Sequence, residues 1–131
     1  LVGSEMCIRD RFYSDSYRTV ANIGLDYEWF GIDEGQCAAV DRLQEFLLED
    51  ARRNQFHTYE INGTVAQSDV LHPVAIIATV AQGSLAANNP FTNEWIERFW
   101  NTPMRTGVRR YYDNCLYFFA FLALSGKYRI W

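Results

Sequence analysis

The sequence has 131 residues, of which 49% are apolar, 16% aromatic and 21% charged, and its formal net charge is -4. This composition is typical of a folded globular domain and excludes a disordered or fibrous chain. The acidic balance and the scattered Lys and Arg residues argue against nucleic acid as a partner. No apolar run approaches the roughly 18 residues of a membrane span, so we expect no membrane segment.

The first eleven residues, LVGSEMCIRDR, show neither a helical nor a strand period. They resemble the translated sequencing-adapter read-through found at the ends of some open reading frames, and they lack the pattern of a secretory signal. We therefore interpret residues 1–11 as a non-native leader and expect residues 12–131 to form one domain.

The first predicted helix spans about residues 16–30 and is apolar on most faces, so we expect it to be buried. The second, at about residues 36–56, has one apolar stripe opposite a charged side, which is typical of a surface helix. Between residues 57 and 66, Tyr59 and Ile61 precede an Asn-Gly pair that favours a turn. This segment predicts a small hairpin or a structured loop.

The third predicted helix, at residues 72–87, has Pro73 at its first position and almost no charge, so we expect it to be buried. The fourth, at residues 92–101, has one aromatic face and one charged face, and Thr92 is its expected cap. The fifth, at residues 112–126, is apolar on all sides beyond its first turn.

Buried and surface helices thus alternate along the chain. This alternation is typical of helical hairpins arranged in two concentric rings, where the inner helices are covered on both sides. A four-helix bundle is the structural alternative, but it would require amphipathic helices throughout. The predicted fold class is therefore all-α, in the form of an α/α toroid with a small hairpin or loop near residues 57–66.

Candidate metal ligands are sparse. His57 and His72 lie fifteen positions apart with no acidic residue at ligand spacing, which is a poor pattern for a metal-dependent hydrolase. Cys7, Cys37 and Cys115 have no metal-type spacing, and an odd number argues against a disulfide framework. We predict no metal site, and we expect free thiols with Cys37 and Cys115 buried on helices.

Four segments resemble, in their order and spacing, the C-terminal part of glycoside hydrolase family 8, and within it the members that release xylose from the reducing end of xylo-oligosaccharides. These segments are FYSDSYRTVANIGLDYEWF, LHPVAIIATVAQGSLAA, FWNTPMRTG and RRYYDNCLYFFAFLALSGKYRIW. The resemblance covers the chain from Phe12 onward and implies an (α/α)6 barrel. Five helices are less than half of such a barrel, so we expect the chain to be a C-terminal fragment.

The resemblance implies an enzyme that hydrolyses β-1,4 linkages of xylo-oligosaccharides with inversion and releases xylose from the reducing end. An endo-acting xylanase, a cellulase or a chitosanase of the same family is the alternative within the enzyme class. A non-catalytic helical carbohydrate-binding or interaction module is the alternative outside it. No cofactor is implied, because two carboxyl groups and a water suffice for this chemistry.

The same resemblance assigns the catalytic base. In family 8 the base is the aspartate of an Asp-x-x-Arg segment at the start of an inner helix, and that segment falls on Asp15 and Arg18. Arg18 is then the residue that holds the carboxylate ionised and oriented. The general acid is a glutamate that lies before the matched region in family members, so we expect the 131-residue chain by itself to be inactive.

Substrate contacts are also implied by the resemblance. His72, in a Leu-His-Pro stretch, corresponds to the histidine that closes the cleft beyond the reducing-end sugar in exo-acting members. Arg110, Tyr111 and Tyr112 fall in the region where family members present tyrosines to the water and the sugar. A cytoplasmic location follows from the same likeness and from the free thiols, with secretion as the alternative.

Each assigned residue also has a purely structural interpretation. The structural alternative for Asp15 and His72 is that they cap their helices. For Tyr111 and Tyr112 it is that they anchor the last helix by packing. Asp113 is most simply a first-turn residue favoured by the helix dipole, as is Asn114 beside it. The tryptophans expected in the core rather than in sugar stacking are Trp29, Trp95 and Trp100.

Overall fold

The computed structural model describes residues 11–31 and 33–130. The interpretation of the leader concerns residues 1–11, and all of them except Arg11 lie outside the described residues, as does Cys7. Arg11 itself belongs to a short strand.

Six helices make up most of the described part. The second predicted helix is divided in two at Leu47, which ends one helix and precedes the next with φ -86° and ψ -1°. This break allows Leu47 and Leu48 both to face the core, where they are 1% and 5% exposed. The helices are α1 (Tyr17–Phe30), α2 (Glu34–Phe46), α3 (Leu48–Arg53), α4 (Pro73–Gly83), α5 (Thr92–Asn101) and α6 (Arg110–Leu124).

Helix α4 is the centre of the core. It lies between α1 and α6 and packs against both, while α2 and α5 cover it from outside. Every residue from 75 to 83 is buried, as its apolar and uncharged sequence predicts. Three inner helices with outer helices between them agree with the predicted ring arrangement.

Helices α1 and α4 approach each other through glycine. A Cβ atom added to Gly24 would lie 3.0 Å from the Cα of Gly83 and closer still to the carbonyl oxygen of Gln82. A Cβ on Gly83 would in turn meet the side chain of Val20 at 2.7 Å. Because the obstacles at Gly24 are backbone atoms, a side chain there requires the two helices to separate.

We therefore expect Gly24→Ala to lower the free energy of unfolding by about 1–3 kcal/mol, although alanine favours helix over glycine. The measurement is urea unfolding of the 131-residue chain. Asn22→Ala, at an exposed position of the same helix, is the matched control and should cost less than about 0.5 kcal/mol. A Gly24→Ala variant as stable as the parent would contradict the close helix approach.

A three-stranded antiparallel sheet adjoins the helices. Its strands are β1 (Arg11–Phe12), β2 (Thr58–Glu60) and β3 (Val65–Gln67), in the order β1-β2-β3. The hairpin predicted near residues 57–66 is confirmed as β2 and β3, with Gly63 in the turn at φ 83°. Strand β1 was not predicted, and the Arg11 guanidinium pairs with the Glu60 carboxylate at 2.9 Å.

Three predictions of local structure are corrected. Thr92 is the first residue of α5 rather than its cap, because its hydroxyl donates to the carbonyl oxygen of Asn89 instead of accepting from the helix. Cys37 and Cys115 are free thiols, as expected, but both are only half-buried. Of the three tryptophans, Trp95 is in the core and 1% exposed, whereas Trp29 is half-buried and Trp100 is 45% exposed.

One face of α6 remains exposed although its sequence is apolar. Phe118, Phe119 and Phe121 are 57%, 43% and 43% exposed. The apolar sequence of α6 predicts burial on all sides. These three rings are exposed because the described residues cover this face of the helix only in part.

Candidate active site

Asp15 and Arg18 form an exposed ion pair at the start of α1. The Nη2 atom of Arg18 donates to Oδ1 of Asp15 at 3.1 Å, and 91% of the Asp15 side chain is exposed. The N-cap position belongs to Ser16, and no side chain caps this helix. The structural alternative of Asp15 as an N-cap is therefore wrong, and its carboxylate is free to face a solvent molecule or a ligand.

The turn that presents Asp15 is fixed by local hydrogen bonds. The Ser16 hydroxyl donates to the carbonyl oxygen of Tyr13 at 2.7 Å and accepts from the Tyr13 amide at 2.9 Å. This pattern orders the residues before the helix without using the Asp15 carboxylate. The carboxylate consequently has Arg18 as its one hydrogen-bonding partner among the residues described here.

Tyr112 links this turn to His72. Its hydroxyl donates to the carbonyl oxygen of Ser14, the residue before Asp15. Its ring lies 4.6 Å from the His72 ring, at an interplanar angle of 53°. Burial raises the pKa of Tyr112, so its hydroxyl stays protonated as a donor. The structure thus brings Asp15, Tyr112 and His72 to the same end of the inner helices.

The His72 side chain forms a hydrogen bond with the Asp113 carboxylate. Its Nδ1 atom lies 3.0 Å from Oδ2 of Asp113, and 14% of the His72 side chain remains exposed. His72 occupies the N-cap position of α4, but its side chain forms no capping hydrogen bond. The cap is supplied instead by Oδ1 of Asp113, which accepts from the Ala75 amide at 2.7 Å. The capping interpretation of His72 is therefore wrong.

Asp113 is also not the simple first-turn residue that its position in the sequence predicts. It is completely buried, and its Oδ2 accepts from Nη1 of Arg105 at 2.5 Å. The same Arg105 nitrogen donates to the carbonyl oxygen of Leu71. Asn114 exchanges two hydrogen bonds with the Arg105 backbone, at 2.8 and 2.9 Å, and so fixes the loop before α6.

Tyr17 is a further residue of this region that the sequence analysis did not single out. It is completely buried in α1, and its ring packs against Phe12 at 5.0 Å. Burial raises the pKa of Tyr17, and the neighbouring Tyr13, Tyr112 and Asp113 raise it further. The signal that identifies it is its helical spacing from Val20 and Gly24 on the buried face of α1.

Arg110 and Tyr111 lie on a different side of α6 from Tyr112. Tyr111 is 81% exposed, and Nη1 of Arg110 donates to the carbonyl oxygen of Gly107 at 3.0 Å. Both line a shallow cleft together with Phe118 and Phe119. In the part of the chain that the structure describes, neither forms a hydrogen bond or ring contact with Asp15 or His72.

A further cleft lies elsewhere on the described surface. Its volume is about 790 Å³, and it is lined by residues from α4, α5 and the segments after α3 and before α4, among them Gln55, Asp69 and Glu97. None of the predicted site residues lines it. Among residues 11–31 and 33–130, no group of three or more His, Cys, Asp or Glu side chains is placed to hold a metal ion. Within the same ranges, no helix has the length and hydropathy to cross a membrane.

Curated proteins similar to this chain are reducing-end xylose-releasing exo-oligoxylanases. The sequence is 51% identical over 121 residues to a reducing end xylose-releasing exo-oligoxylanase of Halalkalibacterium halodurans, covering 92% of this chain and 31% of the relative. An enzyme of Bifidobacterium adolescentis with the same description is 54% identical over 125 residues, covering 90% and 32%. The chain therefore spans about a third of the length of the curated relatives it matches. No family model matches the sequence.

Solved structures agree with this likeness. Rex8A from Paenibacillus barcinonensis, complexed with xylose, superposes with a TM-score of 0.86 at 50% identity, covering 92% of this chain and 32% of Rex8A. A crystal structure of a reducing end xylose-releasing exo-oligoxylanase superposes with a TM-score of 0.87 at 52% identity, with the same two coverages. These neighbours are (α/α)6 barrel proteins, so the predicted fold class is confirmed for the part covered.

Sequence and fold together confirm the recognition made from the four segments: the chain is homologous, over about a third of their length, to the reducing-end xylose-releasing exo-oligoxylanases of glycoside hydrolase family 8.

Proposed function

We propose that this chain is part of an inverting glycoside hydrolase that acts on β-1,4-linked xylo-oligosaccharides and releases xylose from the reducing end. The observation that supports this most strongly is the 50–54% identity to three exo-oligoxylanases over at least 90% of the chain. Rex8A has been solved with xylose and with an arabinofuranosyl-xylotetraose, which supports an oligosaccharide as the partner. No cofactor is required for this chemistry.

Asp15 is the proposed general base. An inverting hydrolase removes a proton from water on the face of the sugar opposite the leaving group, and its two carboxyl groups stand about 6.5–9.5 Å apart to accommodate that water. An exposed carboxylate with a single guanidinium partner is suited to this step, because most of its lone pairs are free to accept. Arg18 donates to Oδ1 of this carboxylate and so restricts its rotamer. The general acid comes from a glutamate in another part of the barrel.

His72 is the proposed limit of the cleft on the reducing-end side. It lies at the N-terminus of an inner helix, with its ring packed on Tyr112, next to the turn that carries Asp15. A variant of Rex8A with an adjacent leucine and histidine replaced has been solved, and Leu71 and His72 are the one such pair in this sequence. We propose that Leu71 and His72 correspond to that pair.

Tyr112 is a proposed substrate contact through its position between Asp15 and His72. Arg110 and Tyr111 are proposed as contacts with sugar units further from the bond that is cleaved, because they line the separate cleft on the exposed side of α6. We propose a cytoplasmic location, which fits the two half-buried free thiols.

The experiment that tests this function is a chimaera. In it, residues 12–131 replace the corresponding third of Rex8A from Paenibacillus barcinonensis. We expect the chimaera to cleave xylotriose into xylobiose and xylose, with the xylobiose seen first by NMR as its α-anomer, because inversion at the anomeric carbon of the cleaved β linkage gives an α product. We expect the 131-residue chain alone to show no hydrolysis, because the general acid lies outside it.

Two results would contradict the proposal. One is xylose release by the 131-residue chain alone, and the other is a folded chimaera without hydrolase activity. A folded, inactive chimaera that still binds xylo-oligosaccharide would favour the binding-module alternative. Release of mixed long fragments from xylan would favour the endo-acting alternative.

His72→Ala in the chimaera is expected to change the product pattern. Removing the ring opens space beyond the reducing-end sugar, so xylobiose and longer reducing-end fragments should appear beside xylose, with a total rate within about 10-fold of the parent. The measurement is chromatography of the products from xylopentaose. His57→Ala, which removes the other histidine of the chain at the residue before β2, should leave the pattern unchanged. An unaltered pattern in His72→Ala would exclude this role.

A further inference from the structure

A single buried carboxylate connects three elements beside the proposed site. Asp113 has no exposed surface, and its two oxygens accept from the Ala75 amide, from Arg105 and from His72. A buried ionised group is tolerated only when it is paired and hydrogen-bonded, and here both oxygens are used. His72 lies 41 positions before Asp113 in the sequence, so the fold is what brings it to this carboxylate.

We propose that Asp113 is a positioning residue: it fixes the His72 ring with its proton on Nδ1 and leaves Nε2 as a hydrogen-bond acceptor for a hydroxyl group of the reducing-end sugar. The proposal rests on the proposed function for the identity of the ligand. The placement of the proton does not depend on that function and is testable without a substrate.

The hydrogen-bond partners of the Asp113 carboxylate indicate that Nδ1 of His72 carries a proton. Arg105 is a permanent cation with donors only, and an ionised carboxylate has acceptors only. The Nδ1 atom of His72 lies 3.0 Å from Oδ2 of Asp113 and must therefore donate. In the neutral ring the second nitrogen, Nε2, then has a free lone pair and accepts.

The ring is also held in orientation. Tyr112 packs on it at 4.6 Å, and the carbonyl oxygen of the preceding Leu71 is held by Arg105. Because Nδ1 faces a completely buried carboxylate, the opposite edge of the ring is the one that can reach a ligand. Orientation of a substrate-binding imidazole by a carboxylate on its other nitrogen is a general device of protein sites.

The competing interpretation is that Asp113 serves stability alone, through the Ala75 amide at the start of α4. That contact uses Oδ1, whereas His72 uses Oδ2. The two roles therefore make different predictions about the tautomer of His72 and about how substitutions at the two positions combine.

The first test is the tautomer of His72, measured by long-range nitrogen–proton NMR on the 131-residue chain labelled with nitrogen-15 histidine, in alkaline buffer where imidazole is neutral. The chain has two histidines, so His57→Gln assigns the signals. We expect the Nδ1–H tautomer for His72. The Nε2–H tautomer, which a free histidine side chain favours, would overturn the proposal.

Two substitutions separate positioning from packing. Asp113→Leu removes the acceptor, and we expect His72 to change to the Nε2–H tautomer. Asp113→Asn keeps an oxygen that can accept from Nδ1, and we expect it to retain the parent tautomer. His57 donates to the carbonyl oxygen of Ser68, so its signals should not change in either variant. A His72 tautomer that is unchanged in Asp113→Leu would refute the inference.

The second test uses the chimaera. Asp113→Leu is expected to lower kcat/KM for xylotriose by roughly 10- to 100-fold, as expected for a misplaced binding group, and to shift the products as His72→Ala does. Combined with His72→Ala, it should cause little further loss, because both changes remove the same contact. Additive losses would show that Asp113 acts on stability alone. If His72→Ala itself has no effect, the proposed role of His72 fails, while the tautomer result still decides the contact with Asp113.

Discussion

Replacing Asp15 by asparagine in the chimaera is expected to lower kcat by roughly 10²- to 10⁴-fold, the usual contribution of a general base. Asparagine has nearly the same shape and keeps an oxygen that can accept from Arg18, but it cannot take a proton from the attacking water. Because the change acts on the chemical step, KM for xylotriose should change less than about threefold. Steady-state kinetics with xylotriose measure both constants.

The matched control is Asp26→Asn, the same substitution on the same helix. Asp26 is exposed and accepts from Nε2 of Gln36 at 3.1 Å, outside the region of Asp15 and His72. Its kcat should equal that of the parent. A kcat for Asp15→Asn within about twofold of the control would exclude Asp15 as the base, since even weak general-base catalysis exceeds that factor.

Stability separates this role from a structural one. An exposed ion pair contributes about 0–1 kcal/mol to folding, and the Asp15 side chain is 91% exposed. Asp15→Asn should therefore leave the urea midpoint of the 131-residue chain almost unchanged. A large loss of activity without a loss of stability is the combination expected of a residue that acts on the substrate.

The helices of this protein could be predicted because their faces are periodic. The uncharged stretch of α4 identifies a helix covered on all sides, and the structure confirms burial from residue 75 to residue 83. Asp15, Arg18 and His72 were found only through motifs shared with a family. Periodicity alone favours side-chain caps at Asp15 and His72, and in the structure neither side chain caps its helix.

The interactions that were missed are those between distant segments. Asp113 follows two tyrosines in a first turn, where an acidic residue is common, so no local pattern indicates that it is buried. Its burial depends on Arg105 and His72, which come from the preceding loop and from another helix. Strand β1 was missed for the same reason, because its partner Glu60 lies in β2, some fifty residues away.

Trp95→Ala is expected to lower the free energy of unfolding of the 131-residue chain by about 3–5 kcal/mol, the usual cost of removing a buried tryptophan. Trp95 is 1% exposed in the core, and its indole Nε1 donates to the backbone carbonyl oxygen of Gln44 at 3.1 Å. The substitution leaves a large cavity between α5 and α2 and a buried carbonyl oxygen without its donor. Urea unfolding, followed by circular dichroism, measures the change.

Trp100→Ala is the matched control, because Trp100 lies on the same helix but is 45% exposed. Its ring contacts Phe121 edge-on at 5.3 Å, and losing that contact should cost about 1 kcal/mol. Trp95→Phe keeps most of the volume and loses the hydrogen bond, so it should fall between the two. If Trp95→Ala destabilised the chain no more than Trp100→Ala, Trp95 would not belong to the core, and its indole would again be a candidate for stacking on sugar.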